Sequence, residues 1–317
     1  MALSKLLITG GTGFVGKHLT AELDKRRIPY AAFSKAQCDL TDRQATLAMF
    51  QKHADAEAIV HLACYQAAAD FPAKHTADQF DVNARIHLNV LEGWRRHLPR
   101  ARLVGAGSAC AYPATEGAIP ETRLMEGLID GSVWSYGFTK RFLATGIRAH
   151  NDQYKLNGTF LIPVTMFGEY DDFQVSTGHF IAAMIGKFVG AVVENRPTVE
   201  IWGDGSQIRD FMDVKSFVEA VLRIVPMCER DVVNIGPGEG MSIRTLALMI
   251  SEISGFKGQI VFKPTAYVGM HTRTIDVTHM NQKYGVRIDP DPSPGIRRTV
   301  AWYREHYAEW SRRVKFA

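Results

Sequence analysis

The sequence predicts an α/β fold built on a doubly wound parallel sheet, with a smaller C-terminal α/β lobe. Strand-like and helix-like apolar patterns alternate through the first half of the chain, and a glycine-rich turn joins the first strand to the first helix. After about residue 164 the pattern loosens into segments punctuated by Gly and Pro. Parallel strands need long crossovers, which the intervening helices supply. We expect residues 1–164 to form the doubly wound domain and residues 165–317 most of a second lobe, interleaved with it.

Apolar periodicity assigns the elements in chain order. The strands predicted in the first half are Leu6–Thr9, Tyr30–Phe33, Ala58–Leu62, Arg102–Gly105 and Thr159–Pro163. The helices predicted between them are Phe14–Arg27, Arg43–Lys52, Ala77–His97 and Tyr136–Tyr154. In the second half, Gly- and Pro-rich breaks separate helices predicted at Gly178–Val193, Val214–Val225, Ser242–Ser254 and Ile296–Trp310.

Composition places the chain among ordinary globular proteins. Its 317 residues are 46% hydrophobic and 22% charged, which argues against collagen-like, disordered and disulfide-scaffold classes. The net charge of +4 does not indicate a nucleic-acid partner, but it allows a local anionic ligand. The four cysteines are far apart and the histidines lack metal-ligand spacing, so we predict no metal site, no disulfides and a cytoplasmic location. No apolar stretch reaches the ~20 residues of a membrane span.

A glycine-rich turn follows the first predicted strand, with Gly10, Gly13 and Gly16 at a spacing of three. Gly10 permits a tight turn, Gly13 lets the backbone approach a diphosphate, and Gly16 lets the next helix pack closely. The N-terminus of that helix supplies N–H donors for an anion. This context favours a Rossmann-type dinucleotide site over a plain strand–turn–helix corner. The residues expected to contact the dinucleotide here are Gly10, Thr12, Gly13, Phe14, Val15 and Gly16.

The end of the second predicted strand bears on which dinucleotide binds. An NAD enzyme usually carries an acidic residue there to hold the ribose 2′-OH, and this run has none. Ser34 and Lys35 can instead meet a 2′-phosphate, so NADP(H) is the preferred cofactor and NAD(H) remains possible. The alternative is that Lys35 is only a solvated loop charge.

Tyr136 and Lys140 form a Tyr-x-x-x-Lys pair, and on a helix both side chains lie on one face. An ammonium near a phenol favours the phenolate and lets the tyrosine exchange a proton with a carbonyl oxygen near neutral pH. Ser108, at the end of the fourth predicted strand, adds a third polar group. The alternative is a surface lysine beside a structural tyrosine.

These motifs in this order make the chain resemble the extended short-chain dehydrogenase/reductases. The resemblance implies catalytic roles for Ser108, Tyr136 and Lys140, with the last two also contacting the cofactor. It further implies a homodimer formed through the two long central helices. The other cofactor contacts that it implies are Asp39 and Leu40 beside adenine, Leu62 and Ala63 after the third strand, and Pro163 at the end of the fifth.

Within that family, Cys110 makes the segment around Ser108 resemble the GDP-L-fucose synthases, which are GDP-4-keto-6-deoxymannose 3,5-epimerase/4-reductases. Those enzymes pair this cysteine with a histidine in a stretch similar to residues 173–181, where His179 fits. A thiolate and an imidazolium suit base and acid on opposite faces of a 4-ketosugar. The alternative is that Cys110 packs at a strand end and His179 caps a helix. The other three cysteines are assigned to packing. Ala109 and Cys110 replace the Asp and Glu of the 4,6-dehydratases, which argues against dehydration.

The resemblance also implies which side chains contact the nucleotide sugar: Ser108, Lys187, Trp202, Arg209 and Arg273. Thr165, Lys187 and Arg273 stand where relatives carry Asn, Arg and Lys. The identities of the sugar and of the nucleotide therefore stay open. The leading hypothesis is an NADP-dependent 3,5-epimerase/4-reductase of an NDP-4-keto-6-deoxysugar, with GDP favoured, in glycan precursor synthesis. The alternatives are a 4-epimerase or simple 4-ketoreductase with tightly bound NAD(P), and a non-catalytic NADP-sensing protein. The intact Tyr136 and Lys140 argue against the last.

Overall fold

The computed structural model describes residues 5–68, 71–263 and 270–312. Its strands are β1 (Leu6–Thr9), β2 (Tyr30–Ala32), β3 (Ala58–His61), β4 (Arg102–Ala106), β5 (Gly117–Ile119), β6 (Asn157–Pro163), β7 (Thr165–Phe167), β8 (Thr198–Trp202), β9 (Ile208–Arg209), β10 (Phe211–Asp213), β11 (Val232–Ile235), β12 (Met241–Ser242), β13 (Gln259–Lys263) and β14 (Thr272–Ile275). Its α-helices are α1 (Phe14–Arg26), α2 (Arg43–Lys52), α3 (Phe71–Lys74), α4 (Thr76–His97), α5 (Trp134–Tyr154), α6 (Phe180–Val193), α7 (Val214–Ile224), α8 (Ile243–Ser254), α9 (Thr278–Tyr284), α10 (Ser293–Glu305) and α11 (Tyr307–Trp310). Short 3-10 helices lie at Ala109–Ala111 and Glu121–Met125.

A six-stranded parallel sheet forms the centre of the fold, in the order β11-β6-β4-β3-β1-β2. Every residue of β1 and β3 is buried, as expected of parallel strands that helices cover on both faces. The predicted doubly wound α/β fold is confirmed. The arrangement brings the carboxyl ends of β1, β2, β3, β4 and β6 to one edge, where ligands of such sheets bind.

A second apolar core lies among α6, α8 and α10, with Phe188, Leu246 and Ile296 fully buried at its centre. The small strands that follow residue 164 pair mainly with one another. Two strands are exceptions: β11 joins the central sheet beside β6, and β14 pairs with β5. The division of the chain near residue 164 into two lobes stays a prediction. No helix within the described ranges is long and apolar enough to cross a membrane.

The predicted helix over residues 296–310 is wrong as a single element. The chain breaks at His306, which separates α10 from α11. At the break the Trp302 carbonyl lies 2.8 Å from the His306 ring nitrogen and also accepts the His306 backbone N–H at 3.2 Å. The break turns α11 back, so that the Trp310 and Trp302 rings meet at 4.7 Å.

Asn234 on β11 ties three separate segments together, although its side chain is fully buried. Its amide oxygen accepts from the Tyr112 hydroxyl (2.6 Å), and its amide nitrogen donates to the carbonyls of Ile119 (2.9 Å) and Asp276 (2.8 Å). These bonds anchor three segments, at Tyr112, at the end of β5 and directly after β14, to the central sheet.

We expect Asn234→Ala to lower the free energy of unfolding by about 3 kcal/mol, since each buried partner loses roughly 1 kcal/mol. Urea unfolding followed by circular dichroism measures this change. Tyr112→Phe removes only one of the three bonds and should cost about 1 kcal/mol. Equal losses in the two variants would contradict the assigned role of the amide nitrogen.

Candidate active site

The glycine-rich turn after β1 is closely packed at two of its three glycines. Gly10 has φ +73°, and a Cβ there would lie 2.7 Å from the backbone nitrogen of Ala63, so only glycine fits. A Cβ at Gly16 would lie 2.2 Å from the Gly10 carbonyl oxygen, which explains how α1 begins against the turn. At Gly13 the nearest atom is that same oxygen at 3.3 Å, leaving the outer side of the turn free of side chains.

The start of α1 fits a dinucleotide diphosphate. Gly13 is the N-cap residue of this helix, and no side chain caps the helix there. The first N–H groups of α1 therefore have no side-chain acceptor, whereas α2, α7 and α8 each have one in Asp42, Asp213 and Ser242. Uncapped N–H groups and the positive end of the helix dipole suit an anion. The predicted contacts of Thr12, Phe14 and Val15 belong to this turn.

Beyond β2 lie the predicted contacts for the adenosine half of the cofactor. The Lys35 side chain is 83% exposed, and its ammonium is 3.8 Å from the Asp39 carboxylate. Asp39 accepts hydrogen bonds from the backbone (2.9 Å) and hydroxyl (2.8 Å) of Thr41, and the backbone bond is the largest cause that lowers its pKa. The Ser34 hydroxyl donates to Gln37 (3.1 Å), and Leu40 is buried beneath the loop. Lys35 is therefore an exposed charge just beyond β2, with Asp39 as its ion-pair partner.

Leu62 and Ala63, Ser108 and Pro163 follow or end neighbouring strands of the sheet, at the edge where the turn after β1 lies. The backbone N–H of Ala63 reaches the Thr9 hydroxyl at 3.3 Å, which links the end of β3 to the end of β1. Ser108 is the N-cap residue of the short helix Ala109–Ala111, and its hydroxyl accepts from the backbone of Cys110 (3.2 Å).

Lys140 of α5 is buried and faces the same edge. Its ammonium donates to the carbonyl of Ala106 at the end of β4 (2.9 Å) and lies 5.6 Å from the centre of the Tyr136 ring. The two side chains thus share one face of α5, as the spacing predicts. Together they connect α5 to the carboxyl end of β4, directly before Ser108.

The Tyr136 side chain is half-buried, and desolvation of its phenol raises the pKa well above the ordinary value. The adjoining thiols of Cys64 and Cys110 raise it further, while a side-chain hydrogen bond with Ser108 lowers it. This direction is the reverse of the phenolate predicted from the spacing to Lys140, because desolvation disfavours the charged form of the phenol. The neutral phenol is a proton donor, which is the form that a general acid requires.

Two cysteines lie beside Tyr136, where the sequence predicted one. Cys110 is half-buried within the short helix after Ser108, not at a strand end. Cys64, assigned to packing from the sequence, is also half-buried and donates to the side chain of Asn83 (3.2 Å). A negative charge on the Cys64 thiol would raise the pKa of the Tyr136 phenol, an effect that packing alone does not include. The sequence signal for Cys64 is its position directly after Leu62 and Ala63, which are predicted to contact the cofactor.

His179 is the N-cap residue of α6, but its side chain does not cap that helix. Instead its Nδ1 lies 2.9 Å from Oδ1 of Asp171, and its Nε2 lies 3.3 Å from the side-chain nitrogen of Gln66. Gln66 belongs to the same loop after β3 that carries Cys64. The loop therefore connects His179 with the residues around Tyr136. Neither Asp171 nor Gln66 belongs to a motif that the sequence displays.

Lys187 and Trp202, predicted to contact the substrate, lie against each other in the second lobe. The Lys187 ammonium is 4.8 Å from the centre of a Trp202 ring and donates to the Glu200 carbonyl (2.9 Å). Burial lowers the pKa of Lys187. The Trp202 side chain is 60% exposed, so it offers a flat aromatic surface beside a cation.

Arg209 and Arg273 are register partners on the parallel strands β9 and β14. Arg209 donates to three backbone carbonyls, and burial followed by the charge of Arg273 lowers its pKa. Arg273 donates to the carbonyl of Ala109 (2.8 Å). Their neighbouring charges suit a diphosphate, but in this structure Arg273 also holds the segment that carries Ser108 and Cys110.

A chain of buried imidazoles lies beneath this edge of the sheet. The Thr9 hydroxyl is 2.6 Å from Nδ1 of His61, and Nε2 of His61 is 2.9 Å from Nδ1 of His87. Burial lowers the pKa of His61 to about 3 and that of His87 well below its ordinary value, and the charge of Lys140 adds to both effects. Across the described ranges no cluster of His, Cys, Asp or Glu is arranged to hold a metal ion.

A Rossmann-type sheet, a glycine turn before an uncapped helix and a Tyr/Lys pair at the same edge define a dinucleotide-dependent enzyme. The pattern of the NAD dependent epimerase/dehydratase family matches residues 6–236, so the chain belongs to that family. It is an NAD(P)-dependent sugar epimerase or reductase.

Relatives match nearly the whole chain. A GDP-L-colitose synthase of Yersinia pseudotuberculosis is 26% identical over 94% of this chain and 97% of its own length. A GDP-L-fucose synthase of Escherichia coli (strain K12) is 25% identical over 96% of this chain and 98% of its own. The crystal structure of a GDP-L-fucose synthetase from Naegleria fowleri bound to NADP superposes with a TM-score of 0.88, covering 98% of this chain and 96% of that one. At 23% identity this last likeness shows the fold.

Proposed function

We propose that the protein is an NADP-dependent 3,5-epimerase/4-reductase of a GDP-linked 4-keto-6-deoxysugar, acting in glycan precursor synthesis. The observation that carries the proposal is the position of Cys110, which is half-buried beside α5. A Cβ at Gly137, next to Tyr136, would lie 2.4 Å from the Cys110 carbonyl oxygen. A simple ketoreductase needs the phenol but has no use for a neighbouring thiol. The GDP-L-colitose and GDP-L-fucose synthases among the relatives support GDP as the nucleotide.

Epimerisation is assigned to Cys110 and His179. The ketone at C4 acidifies the C–H bonds at C3 and C5, so a base can remove a proton from one face and an acid can return one to the other. Cys110, as a thiolate, takes the proton and the electron pair of the C–H bond enters the enolate. His179, as an imidazolium, donates a proton to the opposite face of that carbon.

Reduction is assigned to Tyr136, with Ser108 and Lys140 in support. NADPH, when bound along the turn after β1 and the residues beyond β2, supplies the hydride for C4. The neutral Tyr136 phenol donates its proton to O4, and the Ser108 hydroxyl orients that oxygen. The Lys140 ammonium then stabilises the tyrosinate that remains. Trp202, Lys187 and Arg209 are assigned to the nucleotide and its diphosphate.

The test is incubation of the purified protein with NADPH and GDP-4-keto-6-deoxymannose. We expect NADPH oxidation to accompany formation of a 6-deoxyhexose inverted at C3 and C5, and mass spectrometry with NMR of the product measures both. Interconversion of C4 epimers without NADPH consumption would contradict the proposal in favour of a redox-neutral 4-epimerase. Reduction without inversion at C3 or C5 would leave only a ketoreductase.

Cofactor preference gives a further expected result. We expect Lys35→Ala to raise the KM for NADPH about tenfold, because a charge-assisted contact with the 2′-phosphate is lost. The KM for NADH should change little. Lys52→Ala, which removes another exposed lysine at the end of α2, is the matched control. An equal effect of Lys35→Ala on both cofactors would contradict a 2′-phosphate contact.

A homodimer and a cytoplasmic location belong to the same proposal. The outer faces of α4 and α5 expose Leu88 (53%), Phe80 (38%) and Phe138 (48%), and the two phenylalanine rings lie 6.2 Å apart. Burial of such side chains against a second copy would remove apolar surface from water. Light scattering of the purified protein measures the mass, and a monomer at micromolar concentration would contradict the dimer.

A further inference from the structure

Asp171 and His179 form a carboxylate–imidazole pair that the mechanism above does not use. The carboxylate oxygen Oδ1 of Asp171 lies 2.9 Å from Nδ1 of His179. The Asp171 side chain is only 1% exposed, whereas the His179 side chain is 29% exposed. The imidazole therefore has a buried end on Nδ1 and an accessible end on Nε2. The accessible end is the one that reaches Gln66 of the loop after β3.

The carboxylate is poorly compensated without the imidazole. Its Oδ1 also accepts the backbone N–H of Asp172 (2.8 Å). Its Oδ2 is buried, and it has no partner in the part of the chain that the structure describes. A buried carboxylate needs a positive or hydrogen-bonding partner, and the His179 ring is the side chain placed to serve. The Asp171 carboxylate therefore requires that Nδ1 of His179 carry a proton.

The segment between the two residues is held by a separate set of bonds. Asp172 accepts from the backbone of Gln174 (3.0 Å) through one oxygen and from the hydroxyl of Thr177 (2.7 Å) through the other. A Cβ at Gly178 would lie 2.2 Å from the carbonyl of Asp172, which keeps the turn tight. Asp172 therefore shapes the loop, and Asp171 is left to act on the His179 ring.

We propose that Asp171 is the positioning residue for the acid of the epimerisation. It holds the proton of His179 on Nδ1, so that Nε2 faces the sugar and is the atom that donates a proton to the carbon. In that step the Nε2–H bond breaks, the new C–H bond forms from the enolate electron pair, and His179 becomes neutral with Nδ1–H still directed at Asp171. Solvent reprotonates Nε2 at its exposed side. This inference rests on the proposed epimerase function.

The first test does not depend on activity. In protein labelled with ¹⁵N-histidine, the resonances of His179 are assigned by their loss in His179→Gln. We expect neutral His179 in the wild-type protein to carry its proton on Nδ1, and Asp171→Asn to shift the population toward the Nε2–H form. Asp172→Asn, the matched control, should leave the tautomer unchanged. A wild-type ring protonated on Nε2 would overturn the proposal, whether or not the variant folds.

The second test measures deuterium wash-in from solvent at C3 and C5 of GDP-4-keto-6-deoxymannose, together with inversion at those carbons. We expect Asp171→Asn to slow inversion about 100-fold, a typical loss for a general acid–base group, and Asp172→Asn to change it less than threefold. Because Asp171 acts through His179, the double variant Asp171→Asn/His179→Gln should be no slower than His179→Gln alone. Multiplicative losses in the double variant would overturn the proposal.

The two tests separate failure of the inference from failure of the proposed function. If wild-type protein catalyses no exchange with the sugar, the epimerase function fails, and the tautomer measurement still decides whether Asp171 orients His179. If exchange is normal in Asp171→Asn with an unchanged tautomer, the function stands and the role of Asp171 is refuted.

Discussion

Tyr136→Phe is expected to abolish NADPH oxidation, lowering kcat for reduction by about 10³-fold, while exchange of deuterium at C3 and C5 continues. The phenol supplies the proton for O4, and burial keeps that phenol neutral and therefore able to donate. The substitution removes one oxygen and leaves the aromatic ring in place. Epimerisation requires the thiol and the imidazole but no hydride, so it should survive.

The matched variant is Cys110→Ala, for which the opposite pattern is expected. Exchange at C3 and C5 should vanish, whereas reduction of an already epimerised 4-ketosugar should continue at near the wild-type rate. Stopped-flow absorbance at the NADPH band and NMR of the sugar protons measure the two activities separately. Exchange that persists after loss of both Cys110 and His179 would exclude their assigned roles.

The second large effect is a loss of stability in acid. His61 and His87 are held neutral by burial, with the pKa of His61 lowered from 6.5 to about 3. The unfolded chain binds protons at these residues below about pH 6.5 and the folded chain does not. The contribution of these two histidines to stability is therefore fully present above that pH, and it is lost as the pH drops toward 3. Each histidine lowers the free energy of unfolding by about 1.4 kcal/mol for each pH unit of acidification in this range.

Asp210 acts in the opposite direction. Burial raises its pKa from 3.8 to about 7, so between those pH values the folded protein binds a proton that the unfolded chain does not. The histidine contribution is isolated by comparing the wild-type protein with His87→Leu. We expect the slope of unfolding free energy against pH, between pH 6 and pH 4.5, to be shallower in the variant by about 1.4 kcal/mol per unit. Parallel slopes from urea titrations would show that His87 is not buried in its neutral form.

Local patterns predicted those parts of the site whose residues are close in sequence. The turn at Gly10, Gly13 and Gly16 depends on seven consecutive residues, and the Tyr136–Lys140 pair depends on one helical turn, so periodicity and spacing sufficed. Both the doubly wound sheet and the family were predicted in this way, and both are confirmed.

Contacts between distant segments could not be predicted in that way. Arg273 meets the carbonyl of Ala109 across 164 positions, and Gln66 meets His179 across 113. The predicted direction of the Tyr136 pKa is wrong for a related reason, because spacing reports the ammonium one helical turn away but not the desolvation of the phenol. Asp171 lies only eight positions from His179, yet the turn that joins them is held by Asp172 and Thr177, a pattern without a sequence signature.

The place of β11 in the central sheet limits how this protein can be recombined with its relatives. The chain leaves the sheet at Pro163 and returns at Val232, where β11 pairs with β6 residue by residue from Phe160 onward. A chimera with one crossover near residue 164 would therefore join a sheet from one parent to an edge strand from the other. The exchange of substrate specificity needs at least two crossovers, so that β6 and β11 come from the same parent. Asn234 lies on β11 and accepts a hydrogen bond from Tyr112, so these two residues must also come from the same parent.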